Sequence, residues 1–333
     1  MSGLNQERCY YLDFAKVIAT FLVIYGHLFS GDSTVRLHLY AFHIPLFFFI
    51  SGVFHKYLNK INWGHYIKNI LWPTAIFIVL LIITGLIFLG SDLVEQLRHY
   101  LVDIPTGKMY GILWFLFALF WCKVAMDIFL LVNYKLLIVL LWAGLLFLPV
   151  FFKKSLPFGL SNGLMALPFY VAGFYSKRVL IKRKESFKWA GLFLLSLIMT
   201  FFITRIHGRV SMFNVQFGSL INTVYGAKAA SLPLPYILFL KCANVALFYL
   251  NGFIGIIMIL SFSLLPFPKT KLITSLSKSL ITVLGTQYIF INLIQKYIGL
   301  DNGYLLSILL TIVVFLLCYI LHQLLKKAYK VFD

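Results

Sequence analysis

The sequence has few acidic residues and few charged residues of either sign. Among its 333 residues only 10 are Asp or Glu, and charged residues of both signs make up 12%, against 61% that are hydrophobic. A soluble fold of this length needs a polar exterior, and so few polar side chains do not cover one. The composition therefore excludes a soluble protein and predicts lipid around most of the chain.

Cysteines are too few and too scattered to build a site. The four of them, Cys9, Cys122, Cys242 and Cys318, include no close pair and no C-x-x-C motif, which argues against a disulfide framework and against a zinc site. The sequence also has no Gly-rich phosphate loop and no nucleotide-binding cassette. We expect no metal, and one membrane domain over residues 1–333 without an appended soluble domain.

Basic residues, in contrast, are abundant, with 29 Lys and Arg and a formal net charge of +19. A basic excess is typical of nucleic-acid-binding proteins. It is also typical of membrane proteins, because loops rich in Lys and Arg stay in the cytoplasm and face anionic headgroups. Since no soluble module is left to dock a duplex, we expect no nucleic acid among the partners.

Long continuous apolar runs predict that the chain crosses the membrane as helices. A spanning α-helix needs about 20 apolar residues, whereas the strands of membrane barrels show only short alternating segments. The predicted fold is all-α, a polytopic integral membrane protein with about ten transmembrane helices. The predicted spans are Tyr10 to Phe29, Leu39 to Phe54, Ile70 to Leu89, Gly111 to Phe129, Leu136 to Phe152, Leu164 to Tyr175, Trp189 to Ile206, Tyr236 to Phe262, Ser279 to Ile298 and Tyr304 to Leu325.

The distribution of basic residues predicts the orientation of these spans. Lys and Arg concentrate in the segments on the same side as the N-terminus, above all between Lys177 and Lys188. Both termini are therefore predicted to be cytoplasmic. Two longer segments on the other side, residues 90–110 and 207–235, are interpreted either as solvated connections or as parts that cover or contact an acceptor.

Polar groups in the first predicted helix form a stripe. At 100° per residue, the side chains of its ionisable and hydroxyl residues fall within a sector of about 60°; they are Asp13, Lys16, Thr20 and His27. Ionisable residues inside a membrane cost about 2.5–3.5 kcal/mol each on insertion scales, so this face is predicted to look into the bundle or a wet cavity. We expect Asp13 and Lys16, three residues apart, to form an ion pair, with His27 roughly 16 Å beyond Lys16.

The second predicted helix, LYAFHIPLFFFISG from Leu39 to Gly52, brings a second histidine to a similar depth. Pro45 is expected to bend it locally, and Ser51 with Gly52 to permit close helix approach. Because histidine exchanges protons near neutral pH, His27 and His43 together predict a chemical role. Taken singly, these residues have other interpretations. Asp13 and Lys16 could form a structural ion pair at the headgroup boundary, and His43 could be a hydrogen-bonded histidine at the membrane interface.

These motifs resemble the acyltransferase-3 family of polytopic membrane O-acyltransferases. The family's first helix carries an Asp, a basic residue three positions on and a later His, a spacing matched by Asp13, Lys16 and His27. FHIPLFFFISG is similar to its second signature, especially in the sugar O-acetylase branch. KNILWP, LWFLFAL and LPFYVAGFYSKR are similar to later patterns. The sequence departs from the family where Lys16 replaces a common Arg and where Gln287 stands in the position of a late His.

The resemblance implies a reaction and a set of site residues. The donor would be acetyl-CoA from the cytoplasm, and the acceptor a sugar hydroxyl of a cell-surface glycan (O-antigen, capsule or a lipid-linked precursor). His27 would be the general base or a transient acyl carrier, and His43 or a helix dipole would stabilise the oxyanion. The implied catalytic residues are His27, His43, Asp13 and Lys16, and the implied acetyl-CoA-binding residues are Lys16, Lys68 and Trp114.

A second interpretation, from another functional class, is a proton-coupled or solute transporter that uses the same Asp, Lys and His groups. It predicts inverted repeats and broken helices, and neither is visible in the sequence. Under the first interpretation the protein is a multi-pass protein of a bacterial inner membrane. Its partners are acetyl-CoA, the glycan acceptor and the lipid bilayer, and self-association is left open.

Overall fold

The structure is a computed structural model that describes residues 9–29, 33–106, 113–152, 156–207, 234–298 and 303–328. No strand occurs within these ranges, so the all-α prediction is confirmed. The helices are α1 (Tyr10–Leu28), α2 (Ser33–Val53), α3 (Trp63–Leu89), α4 (Leu93–Arg98), α5 (Trp114–Leu131), α6 (Lys135–Phe152), α7 (Leu160–Ile181), α8 (Trp189–His207), α9 (Leu234–Ser263), α10 (Lys271–Lys278), α11 (Leu280–Tyr297) and α12 (Tyr304–Ala328).

Six helical segments are long and apolar enough to cross a membrane by length and composition. They are α1, α3, α5, α12, the segment Pro157–Ile181 that includes α7, and the part Val245–Ser263 of α9. The remaining predicted positions are also helical, as α2, α6, α8 and α11. The chain is therefore a polytopic helical membrane protein, while the count of about ten spans and the orientation of the termini stay predictions.

The sixth predicted span is shorter than the helix that contains it. The sixth predicted span, Leu164 to Tyr175, is the middle of α7, which begins at Leu160 and continues to Ile181. Its first turn contains Ser161, Asn162 and Gly163, which are buried by neighbouring helices. A prediction from apolarity ends at such residues, because it does not see that packing covers them.

The two longer connecting segments are only partly described. Residues 90–106 contain α4, whose first turn is capped because the Asp92 carboxylate accepts a hydrogen bond from the Glu95 backbone N–H at 3.1 Å, and a π-helical turn follows over His99–Asp103. Nearly all of the segment 207–235 lies outside the described residues, and so does the start of the fourth predicted span, Gly111.

Large apolar side chains cover the outer faces of several helices. Leu136 on α6 and Leu305 on α12 are more than 70% exposed. Leu194 and Leu195 on α8 are exposed as well. Soluble monomers rarely leave contiguous apolar surface of this kind uncovered. These faces therefore fit contact with lipid, in agreement with the composition.

A close crossing of α2 and α7 organises the interior. A Cβ atom on Gly52 would overlap the carbonyl of Tyr170, and one on Gly173 would overlap the carbonyl of Phe49. The two backbones meet because neither glycine has a side chain, which is the usual basis of close helix packing in membranes. The close approach predicted for Gly52 is confirmed.

Replacing Gly52 or Gly173 with Ala should force this crossing apart. Overpacking of a tight interior costs typically about 1–3 kcal/mol, so we expect each variant to melt at a lower temperature in detergent than the wild type. Gly191→Ala on α8 is the control, because a Cβ there meets nothing within 4 Å. Equal melting temperatures for the Gly52, Gly173 and Gly191 variants would contradict the crossing.

Candidate active site

The polar stripe of α1 begins with the predicted ion pair. The Lys16 ammonium lies 3.5 Å from the Asp13 carboxylate, and Asp13 is buried with 4% of its surface exposed. The Ser277 hydroxyl on α10 donates to the same carboxylate at 2.6 Å. The ion-pair prediction is confirmed. The ammonium of Lys16 and the hydroxyl of Ser277 offset the desolvation of the Asp13 carboxylate, because burying an unpaired charge is costly.

Lys16 also lines a cavity of about 320 Å³ between α1, α2, α3, α5, α10 and α11. We call it the basic cavity, because three lysines, Lys16, Lys123 and Lys278, contribute to its wall. Its apolar lining includes Phe47, Ile50, Phe54, Phe115, Leu119, Leu280 and Leu284. The volume lies at the lower end of the range of small-molecule sites. An apolar cavity with three cations in its wall suits a ligand with an apolar arm and an anionic head.

Two residues predicted to bind the donor, Lys68 and Trp114, lie outside the lining of the basic cavity. Lys68 is exposed on the π-helical turn of α3, and Trp114 is buried in the main hydrophobic core, where its ring packs edge-on against Phe115. Neither belongs to the lining of the basic cavity. The structure brings Lys123 and Lys278 to the cavity instead, and neither was predicted from the sequence to bind a ligand.

His27 is held at the other end of the α1 stripe by two tyrosines. Its Nδ1 lies 3.1 Å from the Tyr40 hydroxyl on α2 and 3.1 Å from the Tyr288 hydroxyl on α11. The Tyr40 hydroxyl also approaches the Gly26 carbonyl at 3.4 Å. With Nδ1 engaged from two sides, Nε2 is the ring nitrogen left to react.

His43 sits next to this pair, and Tyr40 lies between the two histidines. The Tyr40 ring centroid is 5.8 Å from that of His27 and 5.1 Å from that of His43. Nδ1 of His43 is hydrogen-bonded to the Leu39 carbonyl, whereas its buried Nε2 has no hydrogen-bond partner among the described residues. Both histidines thus contact the same tyrosine, in agreement with the similar depth predicted for them.

The Leu39 bond determines what His43 can do. A carbonyl oxygen only accepts, so Nδ1 must carry the proton and Nε2 of the neutral ring must carry a lone pair. Such a nitrogen accepts a hydrogen bond and cannot donate one to an oxyanion. The expected oxyanion role of His43 therefore does not fit its neutral form, and a proton-accepting role does.

Three helices connect the basic cavity with the histidines. On α2, His43 lies one turn beyond the cavity residue Phe47, and on α11 Tyr288 lies one turn beyond the cavity residue Leu284. Four residues of helix rise about 6 Å and turn back to nearly the same direction. On α1 the stripe itself runs from Lys16 to His27. We call His27, His43, Tyr40 and Tyr288 the histidine cluster. The basic cavity and the histidine cluster thus share the same three walls.

A second buried network lies beside the cavity. The Asp127 carboxylate on α5 is fully buried and accepts hydrogen bonds from the Tyr66 hydroxyl at 2.7 Å and the Asn62 backbone N–H at 3.3 Å. It also accepts from Nε2 of His55 at 3.1 Å, while the Tyr170 hydroxyl lies 2.8 Å from Nδ1 of His55. This network ties the segment between α2 and α3 to α5 and α7.

The charge state of His55 follows from this burial. Desolvation, followed by the nearby Lys123, lowers the pKa of His55 from 6.5 to about 4, against the raising effect of Asp127. His55 is then neutral at physiological pH. Its Nε2–H donates to Asp127, and its Nδ1 accepts from Tyr170.

We expect the protein to lose stability as the pH falls from about 6.5 towards 4. In that range an unfolded chain with an ordinary histidine binds a proton that buried His55 excludes, so protonation favours unfolding. Melting temperatures of wild type and His55→Gln in detergent, measured between pH 7.5 and 4.5 in steps, check this.

The control comparison is His99→Gln, which changes a partly exposed histidine outside the network. The difference in melting temperature between wild type and His55→Gln should shrink on acidification. The difference in melting temperature between wild type and His99→Gln should stay the same at every pH. A constant difference between wild type and His55→Gln at every pH would contradict the assignment.

Several residues of this region were not predicted from the sequence. Asp127 follows the rule that identified Asp13, since it is an acid inside an apolar run, and Lys123 precedes it by one turn in WCKVAMD. Tyr40 and Tyr288 carried no comparable signal, because tyrosines are frequent in membrane helices and only the tertiary contact selects these two.

Comparison with known proteins adds a family to this geometry. The sequence model of a family described as an acyltransferase domain matches residues 10–323, nearly the whole chain. No curated protein and no solved structure matches the chain. The match begins at the start of α1 and continues into α12, so it includes the basic cavity and the histidine cluster.

Proposed function

We propose, from the premise that the chain belongs to the acyltransferase-3 family and is a membrane acyltransferase, that it transfers an acetyl group from cytoplasmic acetyl-CoA to a sugar hydroxyl of a cell-surface glycan. The acceptor is an O-antigen, a capsule or a lipid-linked precursor of either. The observation that carries the proposal is the basic cavity, which ends one helical turn from His43 and Tyr288.

The basic cavity provides the features that a donor site needs. Phosphates of coenzyme A carry several negative charges, and Lys16, Lys123 and Lys278 supply cations in the wall of the cavity. Charge-assisted bonds of this type are about twice as strong as neutral ones. The apolar walls formed by Phe47, Phe115 and Leu284 then accommodate the extended arm and direct the thioester towards the histidines.

In the proposed reaction, Nε2 of His27 accepts the proton of the acceptor hydroxyl as its oxygen attacks the thioester carbonyl carbon. The tetrahedral intermediate collapses, the carbon–sulfur bond breaks, and the leaving thiolate takes the proton back from His27. For this role Nδ1 must carry the other proton and donate it to a tyrosine oxygen. Donation by Tyr40 to the Gly26 carbonyl supports that tautomer. Transient acetylation of His27 is the alternative sequence of the same steps.

The acceptor enters from the side opposite the basic cavity in this account. His27 is in the last turn of α1, and Lys16 is near its start, so the acetyl group travels most of the length of the helix before it meets the hydroxyl. With the predicted orientation, the cavity opens to the cytoplasm of a bacterial cell and the acceptor lies outside its inner membrane. The family match favours this acyl transfer over the transport interpretation.

Replacing His27 with Ala should abolish acetyl transfer. A general base contributes about 10²- to 10⁴-fold to the rate, so we expect at least about a 100-fold loss, with unchanged membrane insertion and a melting temperature close to that of the wild type. Mass spectrometry of surface glycans from cells with each variant measures the acetyl content. His99→Gln is the control. Wild-type acetylation with His27→Ala would overturn the assignment.

Replacing Lys123 with Met should weaken donor binding. Loss of a hydrogen bond to a charged group costs about 1.5–3 kcal/mol, which corresponds to an increase of about 10- to 100-fold in the KM for acetyl-CoA. Lys278→Met should have a smaller effect that disappears at high salt, because Lys278 is exposed and its charge is screened. Steady-state kinetics with radiolabelled acetyl-CoA measure both.

Lys68→Met is the matched control, since Lys68 lies outside the cavity lining. Its KM should equal that of the wild type. A raised KM in Lys68→Met together with an unchanged KM in Lys123→Met would move the donor site away from the basic cavity.

A further inference from the structure

The proposed reaction needs a hydrogen-bond donor for the carbonyl oxygen of the thioester. When the hydroxyl attacks, the electron pair of the C=O bond moves to that oxygen, and a positioned N–H or O–H stabilises the resulting charge. Neutral His43 offers a lone pair at Nε2 instead of a proton. His27 is occupied as the base, so neither histidine supplies this donor.

Gln287 on α11 has the properties of such a donor. Its side chain is fully buried, and neither its amide nitrogen nor its amide oxygen has a hydrogen-bond partner in the described part of the chain. Within that part it is the one buried side chain with two polar atoms in this condition. Leaving such an amide unpaired destabilises a fold, whereas an apolar residue of the same shape would not.

The position of Gln287 on α11 places it between the basic cavity and His27. At 100° per residue, the cavity residues Leu280, Ile281 and Leu284 point within a sector of about 120° that also contains Gln287 and Tyr288. Gln287 comes one turn after Leu284 and directly before Tyr288, whose hydroxyl contacts His27. The unpaired amide is therefore on the side of α11 that lines the basic cavity, one turn beyond the last lining residue, Leu284.

We propose that Gln287 is a catalytic residue whose amide N–H donates to the acyl carbonyl oxygen as it becomes an oxyanion. This inference rests on the proposed function. The new carbon–oxygen bond forms and the π pair moves to the oxygen held by Gln287. The pair returns as the carbon–sulfur bond breaks, and the hydroxyl proton passes through His27 to the thiolate. The group that the Gln287 amide N–H binds is thus the carbonyl oxygen of a thioester.

The test is Gln287→Met, a change of similar volume that removes both polar atoms. Loss of one oxyanion donor lowers kcat about 10²- to 10³-fold. The KM for acetyl-CoA should stay the same, because the contact strengthens only in the transition state. The melting temperature should equal or exceed that of the wild type, since a buried unpaired amide has been removed. Gln287→His, which restores an N–H donor, should recover part of kcat.

Thr286→Val is the matched control on the same helix. The Thr286 hydroxyl bonds back to the Thr282 carbonyl at 2.8 Å and is fully buried, so this variant should keep the wild-type kcat. Retained activity in Gln287→Met would overturn the inference. So would a loss of activity that accompanies a lower melting temperature, because Gln287 would then be structural.

His27→Ala is measured in parallel to separate the two proposals. If His27→Ala is inactive and Gln287→Met is fully active, the inference about Gln287 fails while the proposed function stands. If both variants transfer acetyl at the wild-type rate, the proposed reaction centre itself is wrong.

Discussion

The crossing of α2 and α7 without intervening side chains is the contact on which the candidate site depends. Gly52 and Gly173 let the two backbones meet, and α2 carries both a wall of the basic cavity and His43. On its other side α2 packs against α9, where Gly255 leaves room for Phe42. Fixed from two directions, α2 can hold its polar residues at defined depths in an otherwise apolar interior.

The buried polar groups then divide into two kinds. Asp13 and Asp127 have several hydrogen-bond or ionic partners, so they connect helices, and Asp13 also holds Lys16 beside the cavity. Nε2 of His43 and the amide of Gln287 have no hydrogen-bond partners among the described residues. In an interior where unpaired polar groups are costly, the second kind fits groups that bind a substrate.

Much of this arrangement could be predicted from the sequence, because local chemistry determined it. Apolar run length located the helices, and helical periodicity placed Asp13, Lys16 and His27 on one face. The spacing of Asp13 and Lys16 correctly predicted their contact. These inferences use distances along one helix, where the geometry is known in advance.

The rest depends on which helices become neighbours, and a single sequence does not contain that information. Lys68 and Trp114 were expected to bind the donor on the basis of motif similarity, whereas packing places Lys123 and Lys278 in the wall of the basic cavity. Tyr288 is 261 positions from His27 and contacts it only because α11 packs beside α1. Gln287 replaces a histidine of the family's pattern, and only its burial without hydrogen-bond partners among the described residues distinguishes it.

The central claim is that an acetyl group passes from a donor at the basic cavity to an acceptor at the opposite membrane face. Sealed membrane vesicles of known orientation, prepared from cells that produce the protein and its glycan, test it with membrane-impermeant radiolabelled acetyl-CoA added outside. The account predicts labelled glycan in inside-out vesicles, where the cytoplasmic face meets the donor, and none in right-side-out vesicles. Equal labelling in both, or labelling only in right-side-out vesicles, would contradict it.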